Sequence, residues 1–468
     1  MSPRELTIAA ASRHLAGGQL SSVELCTSVL DAVDRLNERT RAYITVRDPQ
    51  RLLEDARRSD ARRRRGEARG PLDGIPLGLK DNLETAGLRT TAGSKLLSEW
   101  IPDRSASVVR KLDEAGAILV GKLNMHEFAD GPTNDNPRFG RPLNPWDGAR
   151  TCGGSSGGNA VALAFDMCLG AIGTDTGGSI RTPAAFCGIA GLKPTYGLVS
   201  RTGVVPFSWS LDHVGPMART AEDVGILLQA IAGYDEADPV SRAAPGEPSP
   251  TIGSFGGIVI GVETSYLAAL MEDGVGQGFS AALDLLETLG ARIEHVRLPR
   301  LDVSLAVQVA IMFPEAASVH RRILDERPMD LGEDVRRSLI SGRLYGAGTY
   351  IEAQRVRAVL RRDLAALFDS MDLLAAPTVI MAPPLWGRDS FSVQGRDLDA
   401  LNAFIRCTAP FNLTGNPALS VACGLTELGL PVGLQLIAPP FADGKLLNLA
   451  SLFESARGPF PRPPRRLT

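Results

Sequence analysis

Histidine, paired cysteine, aromatic side chains and long apolar runs are all scarce in this chain of 468 residues, and each scarcity closes off a class of function. The five histidines stand isolated from one another. The six cysteines, Cys26, Cys152, Cys168, Cys187, Cys407 and Cys423, form no C-x-x-C pair and share no spacing with histidine that suits zinc. Neither a metal centre nor a disulfide scaffold is expected, and scattered thiols fit a reduced, cytoplasmic setting. Charge is nearly balanced, with 50 basic and 53 acidic residues and a formal net charge of −3. No global field therefore draws the chain to nucleic acid or to an anionic membrane. The stretch "MSPRELTIAAASRHLAGG" has no continuous apolar segment, and the longest apolar run, from Ala160, is cut by Asp166. Neither a signal peptide nor a membrane span is expected. The expected partner is a small molecule, and the oligomeric state, a homodimer included, is left open.

The chain alternates helical and strand patterns throughout. "SSVELCTSVLDAVDRLNERTRAYITV" opens with a capping box, Ser21 with Glu24, and continues with apolar residues at three- and four-residue intervals, the pattern of a surface helix. "DARRSDARRRRGEARG" could serve nucleic acid as a basic patch, but interleaved acids and the lack of stacking aromatics favour a solvated helix face. "GIPLGLKDNLETAG", "AILVGKLNMHEFADG" and "CLGAIGTDTGGS" read as short strands ending in glycine-rich or asparagine-rich loops, and "IRTPAAFCGIAGLKPTYGLVS" as a helix followed by irregular backbone. A Pro- and Gly-rich connection spans 236–257. Beyond it come a strand-helix-strand unit, three helical stretches of which the last opens with Thr349 and Glu352 as a capping box, and three further strands with a terminal helix near 444–456. This alternation predicts one α/β body over 1–468: a helical region at 1–70, a core at 71–235, the connection at 236–257, and a part at 258–468 that completes the sheet.

Glycine is abundant where other residue types are not. "TCGGSSGGNAVAL", Thr151 to Leu163, crowds it around two adjacent serines. Gly153 and Gly158 satisfy half of a phosphate-binding loop, but Asn159 and Ala160 stand where Lys and Ser or Thr are needed. Gly153, Ser155 and Gly157 match G-x-S-x-G, yet the preceding "NPWDGART" is turn-like where a nucleophile elbow needs a strand. His213, His295 and His320 offer no convincing partner for such an elbow.

A third reading takes the glycine turns together. Lys80 in "GIPLGLKDN", the block "GGSSGGNAVALA" and the block "GTDTGGSIRTPAAFCGIAGLKPTYG" resemble the amidase signature family of amide hydrolases. The resemblance runs from "SSVELC" to "PVGLQLIAPPFADGKLLNLA". It implies a layered α/β/α body with a mixed central sheet, and a catalytic trio of Lys80, Ser155 and Ser179. The family also implies a cis Gly154–Ser155 peptide bond, loop-orienting roles for Ser156, Asp175 and Arg181, and substrate-facing backbone at Ala129 and Asp130. His126, in the same segment, is expected to be structural. Cys152 departs from the family's usual proline and is expected to be a packing thiol.

Chemistry supports the same assignment. An amide is a poor electrophile with a poor leaving group, so hydrolysis needs an activated nucleophile, a sink for the oxyanion and a proton for the amine. Lys80 can be the base only as a neutral amine. Its apolar flank of Ile75, Pro76, Leu77 and Leu79 predicts burial, and moving its pKa from ~10.4 to near ~7 takes about 4–5 kcal/mol of differential stabilisation. Ser155 would relay the proton, since a hydroxyl both donates and accepts. Ser179 would attack, with the backbone N–H groups of Thr176, Gly177, Gly178 and Ser179 receiving the oxyanion. No cofactor or metal is required.

The family includes free-standing bacterial amidases and the A subunit of the tRNA-dependent amidotransferase, which takes ammonia from glutamine. "LNAFIRCTAPFNLTGNP" lacks the acidic residue expected to hold a glutamine amino group, whereas Arg355 and Arg357 in "EAQRVR" match the segment expected to hold its carboxylate. The expectation is a free-standing amidase. The alternative is the A subunit of an amidotransferase, and a non-catalytic amide-binding protein is a remote third. Pro383, Pro384 and Trp386 are candidate rim residues of the pocket.

Overall fold

A computed structural model describes residues 2–243, 253–388 and 390–464; residues 244–252 of the Pro- and Gly-rich connection lie outside the described residues. The strands are β1 (Tyr43–Val46), β2 (Pro76–Lys80), β3 (Ile118–Leu123), β4 (Gly170–Asp175), β5 (Ala190–Lys193), β6 (His213–Ala218), β7 (Val259–Glu263), β8 (Arg292–Val296), β9 (Leu373–Pro377), β10 (Phe391–Val393), β11 (Arg396–Leu398), β12 (Ala418–Leu425) and β13 (Pro431–Ile437). Eleven of them form one mixed sheet in the order β1-β3-β2-β4-β6-β5-β12-β13-β9-β7-β8, while β10 and β11 pair separately. The contact between β5 and β12, antiparallel with Leu419 opposite Leu192, joins the sequence before the connection to the sequence after it.

Helices cover the sheet, so its central strands are buried on both sides. β2, β4, β6, β9 and β13 are buried at every residue, which is why they read as apolar and small-residue runs rather than alternating patterns. The helix Ser22–Thr40 begins with the expected box: Ser21 Oγ accepts from the Glu24 amide, and the Glu24 carboxylate accepts from the Ser21 amide. The basic run forms the helix Pro49–Arg64, turning Leu52, Ala56 and Ser59 inward while its arginines face outward or pair with acids such as Asp73.

Three expectations need correction. "GIAGLKP" is not irregular but contributes β5, a four-residue strand too short for periodicity to reveal. Four α-helices, not three, fill the stretch after β8: Ser304–Val319, Arg321–Glu326, Glu333–Arg343 and Ala347–Leu367. The last starts two residues before Thr349, on Gly346, with no side-chain cap, so Thr349 and Glu352 do not form a box. The segment Leu301–Val319 is long and apolar enough to cross a membrane by length and composition alone. Here it packs against the helices at 333–343 and 347–367 with Ile311 and Ala316 fully buried, the setting of a core helix.

The sheet also fixes where chemistry can happen. β2 and β4 are parallel neighbours, with Leu79 opposite Ile172, so Lys80 and Asp175 end their strands on the same edge. In open α/β sheets such carboxyl ends carry ligand sites. The helix Gly157–Ala164 begins beside this edge, and the Gly158 amide donates to Asn124 O at 3.0 Å. A Cβ at Gly158 would lie 2.6 Å from Ala42 O and 2.5 Å from Asn124 N, so backbone, which cannot swing aside, forbids a side chain. Gly158→Ala is expected to cost about 1–3 kcal/mol through overpacking, read as a lower urea midpoint with an unchanged slope.

Candidate active site

Between Thr151 and Cys187 every residue is buried except Ser179, which lies on the wall of a cavity of about 600 Å³. Ser179 sits in the turn between β4 and the helix Arg181–Cys187. The Ser179 hydroxyl has no hydrogen-bond partner among the described residues, and Thr176 and Gly177 line the cavity beside it.

Behind Ser179 the side chains are dry. Lys80 is fully buried, and its Nζ lies 2.8 Å from Ser155 Oγ, 2.8 Å from Thr174 Oγ1 and 3.3 Å from Thr174 O. Burial pulls the lysine pKa down to about 7, against the opposing pull of Asp175 and Asp212. In the neutral form, two N–H groups can serve the two Thr174 oxygens and leave the lone pair for the Ser155 hydroxyl. Asn82 Nδ2 donates to Thr174 Oγ1 at 3.1 Å, which fixes that hydroxyl in turn.

Ser155 follows a cis Gly154–Ser155 peptide bond, and its carbonyl accepts from the His126 amide at 3.2 Å. The two serine turns are tied together by the Ser156 amide, which donates to Ser179 O at 3.1 Å, while Ser156 Oγ donates to Thr174 O at 3.1 Å. No hydrogen bond joins Ser155 Oγ to Ser179 Oγ among the described residues. The Lys80–Ser155 contact is therefore formed, and a Ser155–Ser179 hydroxyl contact is not, among the described residues. Proton-transfer contacts of this kind often tighten only around a bound substrate.

Asp175 and Arg181 anchor the turn from beneath. Arg181 is fully buried and grips both carboxylate oxygens of Asp175, at 2.9 and 3.0 Å. Its remaining donors go to Thr408 O at 2.9 Å, Gln435 Oε1 at 2.8 Å and Asn412 Oδ1 at 2.6 Å. Burial alone would raise the Asp175 pKa, but the Arg181 guanidinium and Asn412 hold it well below the usual carboxylate range. Thr176 Oγ1 donates to Asp212 Oδ1 at 2.6 Å, which fixes the start of the turn.

Ala129 and Asp130 line the cavity, as does His126, and Phe128 and Ala129 both adopt left-handed φ, 50° and 63°. Burial pushes the Asp130 carboxyl up to about 7 although Ser338 donates to it. His126 Nε2 lies 2.8 Å from Asp334 Oδ2. None of the five histidines is bonded to Ser155 or Ser179 through its ring. Cys152 is a buried thiol whose pKa burial pushes far up, and its Sγ–H donates to Gly153 O at 3.4 Å. Among the described residues no cluster of His, Cys, Asp and Glu could hold a metal.

Two candidates fall outside the cavity. Arg357 is buried and spends its donors on Leu413 O at 2.7 Å, Ser210 Oγ at 3.1 Å and Ser210 O at 2.8 Å; Arg355 is exposed on the same helix. Neither can reach a carboxylate in the pocket. The arginines on the cavity are Arg337, paired with Glu333, and Arg388. Pro384 and Trp386 sit at the rim, whereas the Pro383 carbonyl accepts from Arg150 at 2.8 Å as part of a packed connection. The apolar wall comes from Phe207, Met312, Phe391, Leu401, Phe404 and Ile405. Sequence reasoning missed Thr174, Asn82, Asp212, Gln308, Thr408, Asn412 and Gln435. Thr174 and Asn82 lie inside motifs already singled out, but the other five lie outside every glycine-rich block.

Residues 24–447 match the family model described as Amidase. The A subunit of the glutamyl-tRNA(Gln) amidotransferase of Moorella thermoacetica is 40% identical over 465 residues, which cover 94% of this chain and 94% of that protein. Among solved structures, one described as an amidase superposes with a TM-score of 0.88 at 34% identity, covering 97% of this chain and 100% of the other. The native peptide amidase of Stenotrophomonas maltophilia superposes with a TM-score of 0.83 at 32% identity, covering 98% of each.

Arg181→Met keeps most of the side-chain volume but strands the buried Asp175 charge. It is expected to cost about 3–5 kcal/mol of stability, measured by denaturant unfolding.

Proposed function

The chain belongs to the amidase signature family, whose members are hydrolases acting on carbon–nitrogen bonds, and from that premise we propose that it cleaves a carboxamide through an acyl-enzyme on Ser179. What carries this reading is the buried Lys80 contacting Ser155 directly behind Ser179, the only residue between 151 and 187 that is not buried. Neutral Lys80 takes the Ser155 proton as Ser155 takes that of Ser179, and Ser179 Oγ attacks the amide carbon. The oxyanion lies against the amides of Gly177, Gly178 and Ser179, at the turn that Thr176 begins. Protonated Lys80 then returns its proton through Ser155 to the departing nitrogen. Water enters, is deprotonated along the same path and releases the carboxylate. No metal or cofactor takes part.

The choice of amide separates two readings. The curated relatives at about 40% identity are glutamyl-tRNA(Gln) amidotransferase A subunits, which favours a glutamine-hydrolysing subunit over a free-standing amidase. Two features favour the free-standing amidase: Arg355 and Arg357 point elsewhere, and the helix Ala400–Ile405 brings Leu401, Phe404 and Ile405 to the cavity, whose lining also carries Asp130, Asp135, Glu333, Asp334, Arg337 and Arg388. Ammonia release by the purified chain decides between them. Turnover of simple aliphatic or aromatic amides without partner chains, with L-glutamine no better, upholds the free-standing enzyme; selective glutamine hydrolysis upholds the amidotransferase reading.

Ser179→Ala is expected to abolish turnover, and Lys80→Met to lower kcat by about 10²–10⁴-fold. The sign of the pH dependence follows from the lowered lysine pKa. Above about 7 the amine is free and competent; below it the ammonium has no lone pair, so kcat/KM should fall with one-proton slope as pH drops through about 7. A flat profile across that midpoint, from about two units below to about two above, would exclude Lys80 as the base.

A further inference from the structure

Gln308 and Thr408 are both fully buried, and neither belongs to a glycine-rich block. Each nevertheless ends on the turn that carries Ser179. Gln308 Nε2–H donates to Thr176 O at 2.8 Å, and Thr408 Oγ1–H donates to Gly177 O at 2.6 Å. The next carbonyl, Gly178 O, accepts from the Thr182 amide at 2.8 Å inside the following helix. Three successive peptide groups are thus held by their oxygens.

Planarity turns this into a statement about the amides. In a trans peptide the C=O and the following N–H lie in one plane and point in opposite directions. A carbonyl drawn one way therefore drives its partner N–H the other way. Fixing Thr176 O aims the Gly177 amide, fixing Gly177 O aims the Gly178 amide, and fixing Gly178 O aims the Ser179 amide. These three N–H groups have no protein acceptor among the described residues. Gly178, at φ 148°, also leaves room for the Thr408 hydroxyl, which a Cβ there would strike.

Stability gives little reason for Gln308. Its Oε1 is buried without a hydrogen-bond partner among the described residues, and an unmet buried acceptor of that kind destabilises the fold. A leucine of similar size would avoid that cost. What leucine could not do is hold Thr176 O.

We infer that Gln308 and Thr408 are positioning residues for the oxyanion site: from outside the signature, they turn two peptide planes so that the Gly177 and Gly178 amides face the reacting carbonyl. The inference rests on the proposed attack by Ser179. Neither side chain lines the cavity. Both act through backbone.

A fluorophosphonate probe tests this without knowledge of the natural amide. Ser179 Oγ forms the P–O bond as its proton passes through Ser155 to Lys80, the P–F bond breaks with fluoride leaving, and the phosphoryl oxygen occupies the oxyanion site. The labelling rate constant of Thr408→Val and of Gln308→Leu is expected to fall about 10–100-fold at its high-pH plateau. Thr408→Ser, which restores the hydroxyl, should return it to within about threefold of the parent. The pH midpoint of labelling should stay where the parent has it in all three, because Lys80 and Ser155 are untouched. General distortion of the site would move midpoint and plateau together.

Plateau rates within about twofold of the parent in both Thr408→Val and Gln308→Leu overturn the inference, as does a serine variant no better than the valine one. If one variant fails to fold, the other still decides, since each holds a separate peptide plane. Undiminished labelling of Ser179→Ala, or no labelling of the parent, would instead defeat the Ser179 assignment and the inference with it. Loss of labelling in Ser179→Ala alongside unchanged Thr408→Val and Gln308→Leu defeats the inference only.

Discussion

A lysine kept out of water is the constraint on which the rest of the site depends. Lys80 ends a strand buried on both faces, and burial is the largest influence on its pKa. Were the strand at a sheet edge, solvent would stabilise the ammonium and the amine would hold a proton at neutral pH. The central position of β2, between β3 and β4, is therefore as much a part of the chemistry as the nitrogen itself.

Two carboxylates nearby work against that neutrality. Asp175 and Asp212 both favour the charged lysine, and an unpaired Asp175 would favour it strongly in a medium of low polarity. Arg181 answers this by taking both Asp175 oxygens, while Asp212 is spent on Thr176 Oγ1 and on the amides of Phe207 and Ser208. Arg181 thus both holds the Ser179 turn in shape and offsets the Asp175 charge that favours the lysine ammonium. Shape and pKa control therefore meet at Asp175 and Asp212, whereas the carbonyl contacts of Gln308 and Thr408 lie outside the groups that set the Lys80 pKa.

How far these features could be seen in the sequence follows from the range of the interactions behind them. Lys80, Ser155, Ser156, Asp175, Ser179 and Arg181 act across turns closed by local glycines, and their spacing survives as a readable pattern. β2, β3 and β4 are legible for the same reason: each is an apolar run ending at a loop. β5 escapes because four residues carry too little periodicity, and Thr349 with Glu352 mislead because a capping box depends on where the helix starts, which here is set by packing. Gln308 and Thr408 meet the Ser179 turn across 132 and 231 residues of chain. A lone glutamine on an apolar helix or a threonine between two short helices carries no local mark of its target. Arg357 shows the converse. Its segment has the right appearance for a carboxylate anchor, yet the fold turns its guanidinium onto the carbonyls of Leu413 and Ser210.

Chemistry and choice of amide are thus encoded in different parts of the chain. The proposed base, relay and nucleophile come from β2 and the two glycine turns, all before residue 182, where close backbone approach leaves little room for larger side chains. Much of the pocket wall comes from later segments, with Met312 on one helix and Leu401, Phe404 and Ile405 on another. Two of these wall residues adjoin the side chains that hold the Ser179 turn: Gln308 Nε2 lies 3.7 Å from Met312 Sδ, and Thr408 Oγ1 lies 3.2 Å from Ile405 O. Whole-chain identity thus places the chain in its family, whereas the proposed choice of amide rests on cavity side chains such as those at 312 and 401–405.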